Sequence, residues 1–285
     1  MLHWTTTNRC TLNLAIIAGA IALLTFAGQV MAADEIDTWP GKAGVWNGYT
    51  SHDIQVGDAA CKVVLPKKIA EGRPWIWRAR FFGHQPQTDL ALLERGFHLV
   101  YCNIGGLYGA PEAVERWNKF YTFLTEEHKF AKRPVLEGMS RGGLIVLNWA
   151  ISNPDRVSAI YIDAPVCDIR SWPGGLGSGK GGGGCWPQCL GVYKLKADEM
   201  KDWTGGPLDN LKPLAEAKVP IISVCGDADD VVPLDENSGI LKERYEALGG
   251  PIKLIAKPGV GHHPHSLKDP TPILEFIDKQ GKPIN

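Results

Sequence analysis

The sequence predicts an α/β domain built on a mostly parallel central sheet flanked by helices. Three observations predict it. From about residue 33 onward, strand-like and helix-like segments alternate, as they do where parallel strands are joined by helical crossovers. The segment Val157 to Asp163 is apolar almost without interruption, as a strand buried on both faces would be. Three Gly-containing segments, at 138–143, 226–233 and 259–265, each follow directly on a strand-like run. Open parallel sheets gather their functional loops at such strand ends.

The elements follow in order. Met1 to Arg9 carries a positive charge at Arg9, Leu14 to Phe26 is apolar, and Val30-Met31-Ala32-Ala33 offers small residues. This is the pattern of a secretory signal peptide, expected to be removed after residue 32. The apolar run is shorter than the ~20 residues of a membrane span. The expectation is therefore a secreted or periplasmic protein with no stable membrane association after cleavage. The remainder, 33–285, is expected to form one domain. Val45 to Val56 and Ala60 to Leu65 read as an antiparallel pair. Pro74 to Phe82 reads as a strand, Thr88 to Arg95 as a short helix started by Thr88 or Asp89 and closed by Gly96, and Phe97 to Asn103 as the next strand.

Pro111 to Phe130 reads as a long amphipathic helix. Pro and two acids stand near its start, and Val114, Trp117, Phe120, Tyr121 and Leu124 share one face. Pro134 to Gly138 (strand), Gly142 to Asn153 (helix) and Val157 to Asp163 (strand) follow. Val219 to Cys225, Asn237 to Leu248, Ile252 to Ala256 and Pro272 to Asp278 continue as strand, helix, strand, helix. The rhythm breaks at about 164–207, rich in Gly and Trp. Long connections in compact domains tend to be lids or binding loops, so this one is expected to be an insertion over the site.

Acids and bases nearly balance, 31 against 30, which argues against nucleic acid as a partner because that requires a basic stripe. Of seven cysteines, Cys10 would leave with the leader. Cys61, Cys102 and Cys225 lie in strand-like runs, where a free cysteine behaves as a small hydrophobe. Cys185 and Cys189 can bridge to each other, or one of them to Cys167; export permits this. A zinc site lacks an evident fourth ligand, and no metal or cofactor is expected. Composition does not fix the oligomeric state.

The chemistry centres on Gly138-Met139-Ser140-Arg141-Gly142-Gly143, between a strand and a helix. A serine on such a strand-to-helix turn exposes its Oγ, and the N–H of the next residue, Arg141, can face a developing oxyanion. The flanking glycines are expected because a Cβ there would collide with neighbouring backbone. A nucleophilic serine needs a base, and the base an orienting acid. Downstream, Asp227, Asp229 and Asp230 follow one strand, and His262, His263 and His265 follow the next. Three acids and three histidines thus compete for the two roles. A metal cluster of these residues is the other reading, but the spacing lacks the i, i+4 pattern of helical zinc motifs.

With these motifs the chain resembles the α/β-hydrolase superfamily, in the group holding prolyl-oligopeptidase-like and acetyl-xylan-esterase-like hydrolases. The resemblance covers nearly all of residues 33–285. It implies Ser140 as nucleophile, Asp229 (Gly226-x-x-Asp229-x-x-Val232-Pro233) as orienting acid and His262 (Gly259-x-Gly261-His262) as base. His263 and His265 would then shape the loop or touch substrate. The second oxyanion N–H would come from Phe81 or Phe82, although the His-Gly-Gly-Gly run of lipases is missing. The Gly-x-Ser-Arg-x-Gly pattern is similar to that of glucuronoyl esterases. It implies that Arg141 binds substrate near an anionic group, the alternative being an arginine paired with a local carboxylate.

Gly174 to Gly181 nearly fits a phosphate-binding loop but has Gly181 where Ser or Thr is required, and it reads as a flexible loop. Trp172, Trp186 and Trp203 would either stack on sugars or form a satellite core. The expected function is a secreted serine hydrolase of a carboxylic ester, on a small molecule or a carbohydrate. The alternatives are a prolyl-oligopeptidase-like peptidase, disfavoured by the lack of a preceding propeller pattern, and a non-catalytic binding module.

Overall fold

The structure is a computed structural model that describes residues 38–280. The expected leader at 1–32 lies outside the described residues. The chain enters the sheet through two strands, β1 (Lys42–Trp46) and β2 (Tyr49–Val56). Asn47 and Gly48 between them have φ of 48° and 80°, the two positive values that a tight hairpin turn requires. The expected single strand from Val45 to Val56 is thus a hairpin, and Asn-Gly was its sequence signal. β3 (Ala59–Val64) completes the antiparallel start.

The remaining strands are β4 (Trp75–Arg78), β5 (His98–Cys102), β6 (Val135–Met139), β7 (Ala159–Asp163), β8 (Ile221–Gly226) and β9 (Ile252–Lys257). They form one nine-stranded sheet in the order β1-β2-β3-β5-β4-β6-β7-β8-β9. Pairing is antiparallel as far as β3–β5 and parallel from β5–β4 onward. This is the mostly parallel sheet expected from the alternating pattern. From β4 the chain moves to β5 on one side and later to β6 on the other. That reversal is a topological switch point, and ligands bind in the crevice outside the strand ends at such points. The loops after β4 and β6 carry Arg80 and Ser140.

β4 is shorter than the Pro74–Phe82 expectation. The Ala79 N–H still reaches the Glu137 carbonyl, at 2.9 Å, and then Phe81 turns to φ +52° and takes the chain out of the sheet. The helices are α1 (Gln87–Glu94), α2 (Pro111–Thr122), α3 (Gly142–Ser152), α4 (Trp186–Tyr193), α5 (Lys212–Glu216), α6 (Ser238–Ala247) and α7 (Thr271–Gln280). The long helix expected from Pro111 ends its α-helical part at Thr122 and continues as a wider π-helical turn, Phe123–Glu127. Its face buries Trp117, Phe120 and Tyr121. Trp117 stacks on Trp77 of β4 at 3.8 Å between ring centroids, and Trp149 of α3 meets the same Trp77 edge-on at 5.2 Å. These aromatic rings fix α2 and α3 against the sheet.

The segment between β7 and β8 contains α4, which the sequence pattern did not indicate. Its Gly-rich stretch is anchored. Ser178 donates its N–H and, at 2.6 Å, its Oγ–H to the Glu236 carboxylate, and the Lys180 N–H donates to the Asp230 carbonyl at 3.0 Å. All six cysteines from Cys61 onward carry free thiols. Cys61 and Cys102 stand opposite each other across β3 and β5, a pairing that the sequence spacing did not single out. Among the described residues, no helix is long and apolar enough to cross a membrane.

β4 and β6 pair with Arg78 opposite Glu137. Both are buried, and the Arg78 Nη1 lies 3.1 Å from the Glu137 carboxylate while also pairing with Asp89 of α1. The same guanidinium donates to the Arg80 carbonyl at 3.3 Å and to the His84 carbonyl. Asp89, expected near the start of α1, is therefore a counter-ion in the core. Burial pushes the Glu137 carboxyl well above the usual carboxylate range; Arg78 opposes the rise and the Asp89 charge adds to it. Breaking a buried ion cluster leaves an uncompensated charge. Arg78→Met is expected to lower unfolding free energy by about 3–5 kcal/mol, read as a lower urea midpoint at unchanged slope.

Candidate active site

β6 ends at Met139 and α3 begins at Gly142, so Ser140 and Arg141 make the turn between them. Ser140 has φ +50°, a region that residues with a Cβ enter only when their surroundings impose it. The Ser140 N–H donates to the Asp163 carbonyl, and its carbonyl accepts from the Gly143 and Val166 N–H groups, each at 2.9 Å. The end of β7 and the loop just after it thus hold the turn from both sides. A Cβ on Gly138 would stand 2.7 Å from the Gly142 carbonyl oxygen, and one on Gly143 would stand 2.6 Å from the Pro165 Cβ. At Gly142 the nearest atom would be 3.4 Å away. The expected collision therefore holds at Gly138 but not at Gly142; Gly143 is the second tight position.

The loop after β8 carries Asp229 and the loop after β9 carries His262. His262 Nδ1 lies 2.7 Å from Asp229 Oδ2, and His262 Nε2 lies 3.0 Å from Ser140 Oγ. The geometry gives a donor chain in which the Ser140 hydroxyl donates to Nε2 and Nδ1–H donates to the carboxylate. Asp229 is buried, and its Oδ1 accepts the N–H groups of Val231 and Val232, each at 2.9 Å. Burial acts to raise the Asp229 pKa. The bonds from His262, Val232 and Val231 and the His262 charge outweigh it and hold the carboxyl below its ordinary value. Asp227 accepts the Gly259 N–H at 2.6 Å and joins the two loops, while Asp230 is exposed and pairs with Lys180. Neither reaches the chain from serine to acid.

His263 is exposed, its ring 5.0 Å from that of His262. His265 is buried, and its Nδ1 lies 2.7 Å from the Asp163 carboxylate, whose other oxygen accepts the Ser266 N–H at 2.8 Å. This second Asp–His pair stands beside the first, and the sequence reading did not foresee it. Its only sequence trace is the polar last residue of an otherwise apolar strand. Ring nitrogens of His262, His263 and His265 lie within 4.8 Å of one another. Both nitrogens of His262 are already engaged, by Asp229 and Ser140.

Phe81, strained at φ +52°, faces the elbow, and the Arg141 guanidinium lies 5.6 Å from its ring and 5.8 Å from that of Trp172. Phe82 packs away, against Trp46 and Tyr101 at 5.2 and 5.5 Å. Among the described residues no acceptor takes the backbone N–H of Phe81, of Phe82 or of Arg141. Trp172, Trp186 and Trp203 pack against a satellite core of Tyr108, Leu144, Val166, Ile169, Cys189, Met200 and Val232. Of the three, Trp172 also stands beside Arg141. The local carboxylate considered as a partner for Arg141 is not found among the described residues.

This architecture is the α/β-hydrolase fold. The structure is similar to the acylaminoacyl peptidase of Pyrococcus horikoshii (TM-score 0.62, 18% identity, 82% of this chain and 42% of that one). It is also similar to a puromycin hydrolase (TM-score 0.57, 19% identity, 72% and 34%). A puromycin-hydrolyzing peptidase of Mycobacterium tuberculosis compares at TM-score 0.61 and 16% identity, over 75% of this chain and 36% of that one. In sequence, an uncharacterized peptidase, y4sO, of Sinorhizobium fredii (strain NBRC 101917 / NGR234) is 36% identical over 105 residues, which cover 31% of this chain and 15% of that protein. The chain thus spans less than half the length of these relatives. No family model matches it.

Asp229, with a folded pKa below its unfolded one, stabilises the fold fully above the ordinary carboxylate pKa of about 4. That contribution is lost as pH falls through the lowered folded value. Asp229→Asn is therefore expected to be less stable than wild type at neutral pH, with the difference shrinking below about pH 4. Chemical denaturation at a series of pH values checks this. A gap that widens on acidification would contradict it.

Proposed function

We propose that the protein is a serine hydrolase of the prolyl-oligopeptidase type that cleaves an amide or ester bond through an acyl-enzyme on Ser140. The observation that carries the proposal is the unbroken chain from Ser140 Oγ through His262 to Asp229, at 3.0 and 2.7 Å, on a strained elbow. In the proposed reaction the Ser140 Oγ attacks the carbonyl carbon while His262 Nε2 takes its proton. Asp229 holds the Nδ1–H tautomer and stabilises the imidazolium. The N–H groups of Arg141 and of Phe81 or Phe82 hold the oxyanion. His262 then returns the proton to the leaving amine or alcohol, and water repeats the sequence on the acyl-enzyme.

The peptidase names of the similar proteins support an amide bond as the substrate. The carboxylic-ester reading keeps its support in the machinery itself, because an alcohol leaves more readily than an amine. A carbohydrate ester loses the support of stacking tryptophans, since Trp186 and Trp203 are packed in a satellite core. Export still rests on the residue pattern of 1–32.

A panel pairing aryl acetates with aminoacyl-arylamides of the same leaving-group class tests this. Turnover of both is expected, and Ser140→Ala should lower each kcat by about 10^6-fold. Asp229→Asn should lower them by about 10^4-fold by inverting the tautomer. Turnover that survives Ser140→Ala unchanged would refute the assignment.

A further inference from the structure

We propose that Arg80 and Arg141 form a two-cation subsite beside Ser140 that binds a carboxylate of the substrate within a few bonds of the scissile carbonyl. This rests on the hydrolase reading above and names a substrate class for it. The two arginines follow β4 and β6, the adjacent strands at the switch point. Their guanidiniums lie against the same Phe81 ring, at 5.1 Å for Arg80 and 5.6 Å for Arg141, and Trp172 stands over Arg141 at 5.8 Å.

Neither has a counter-ion. Arg78, Arg95, Arg116, Arg170 and Arg244 each form an ion pair with a carboxylate; Arg133 and Arg156 form none but bind the Val157 carbonyl and the Tyr121 ring, and no carboxylate among the described residues pairs with Arg80 or Arg141. The protein as a whole carries a formal net charge of −1, so an unneutralised pair of cations is a local feature. Arg80 is half-buried, and its Nε is buried without an acceptor. Burial, and next the like charge of Arg141, push the Arg80 pKa below its ordinary value. Such a pair costs free energy in the empty protein, and an incoming anion would relieve that cost.

Two glycines and an amide border the Arg80 guanidinium. A Cβ on Gly105 would stand 2.2 Å from Arg80 Nη1, so only glycine lets the guanidinium lie there. A Cβ on Gly106 would stand 2.9 Å from Gln188 Nε2. The Tyr108 hydroxyl donates to Gln188 Oε1 at 2.9 Å, which turns the Nε2 donors of Gln188 toward the glycines. The ring faces of Phe81 and Trp172, the glycine floor and the Gln188 amide thus accompany two forked donors, and guanidinium forks match a carboxylate in two-point geometry.

Binding is tested in the Ser140→Ala background, where turnover does not intervene. Calorimetric titration would compare monomethyl succinate with methyl succinamate, which place the charge on the acyl side. It would also compare 3-acetoxybenzoate with 3-acetoxybenzamide, which place it on the alcohol side. In one of the pairs the acid should bind roughly ten-fold tighter or more than its neutral amide, as expected for hydrogen bonds to a charged group. Arg80→Gln should abolish that preference and Arg80→Lys should keep part of it. Melting curves establish that the variants are folded, and Arg141→Gln serves in place of Arg80→Gln if the latter unfolds. No preference in either pair, or a preference that survives the double Gln variant, overturns the subsite. Turnover of neutral 4-nitrophenyl acetate by the wild-type protein tests the hydrolase reading separately.

Discussion

The backbone conformation of Ser140 is the constraint on which the rest of the site depends. A serine at φ +50° is disfavoured in isolation and persists here because Asp163, the last residue of β7, accepts its N–H and Val166, in the loop just after β7, donates to its carbonyl. Gly138 and Gly143 allow the close approach, one against the first turn of α3 and the other against Pro165. Asp163 in turn is held by His265 and Ser266 through its side chain. One residue of β7 therefore fixes the elbow with its backbone and the histidine loop with its carboxylate. The second Asp–His pair thereby serves as a brace between two parts that must meet within 3 Å.

Below the elbow, Arg78 performs a similar office for the other wall. It binds Glu137 of β6 and Asp89 of α1, and it also holds the carbonyls of Arg80 and His84. The loop that carries Phe81 and Arg80 is thus tied to the strand that carries the serine. The proposed oxyanion amides and the proposed anion subsite both hang on this buried cluster. A charged core costs desolvation, and its retention here accompanies the ordering of a loop rather than packing alone.

The parts legible in the sequence were those with local signals. Strand and helix alternation, the glycines of the elbow, and the Asp and His loops after β8 and β9 all appear within short windows. Asn47-Gly48 was equally local, yet the strand-forming residues on both sides of it (Val45, Trp46, Tyr49 and Thr50) let the whole stretch read as one strand. What escaped were pairings between distant segments: Arg78 with Glu137, His265 with Asp163, and Arg80 with Arg141 beside Phe81. Each joins residues that register or loop packing brings together, and no spacing along the chain encodes them. The end of β4 escaped for a different reason: Phe81 and Phe82 have strand propensity, but the strain at Phe81 overrides it. α4 was obscured by the glycines that precede it, although Pro187 stands at its start.

In the proposed mechanism Ser140 is a nucleophile activated by His262. Treatment with a fluorophosphonate, followed by intact-mass measurement and peptide mapping, tests it most directly. One adduct per chain, located on Ser140 and absent from the His262→Ala variant, is the predicted result. A chain that stays unmodified, or an adduct on another residue, would contradict it.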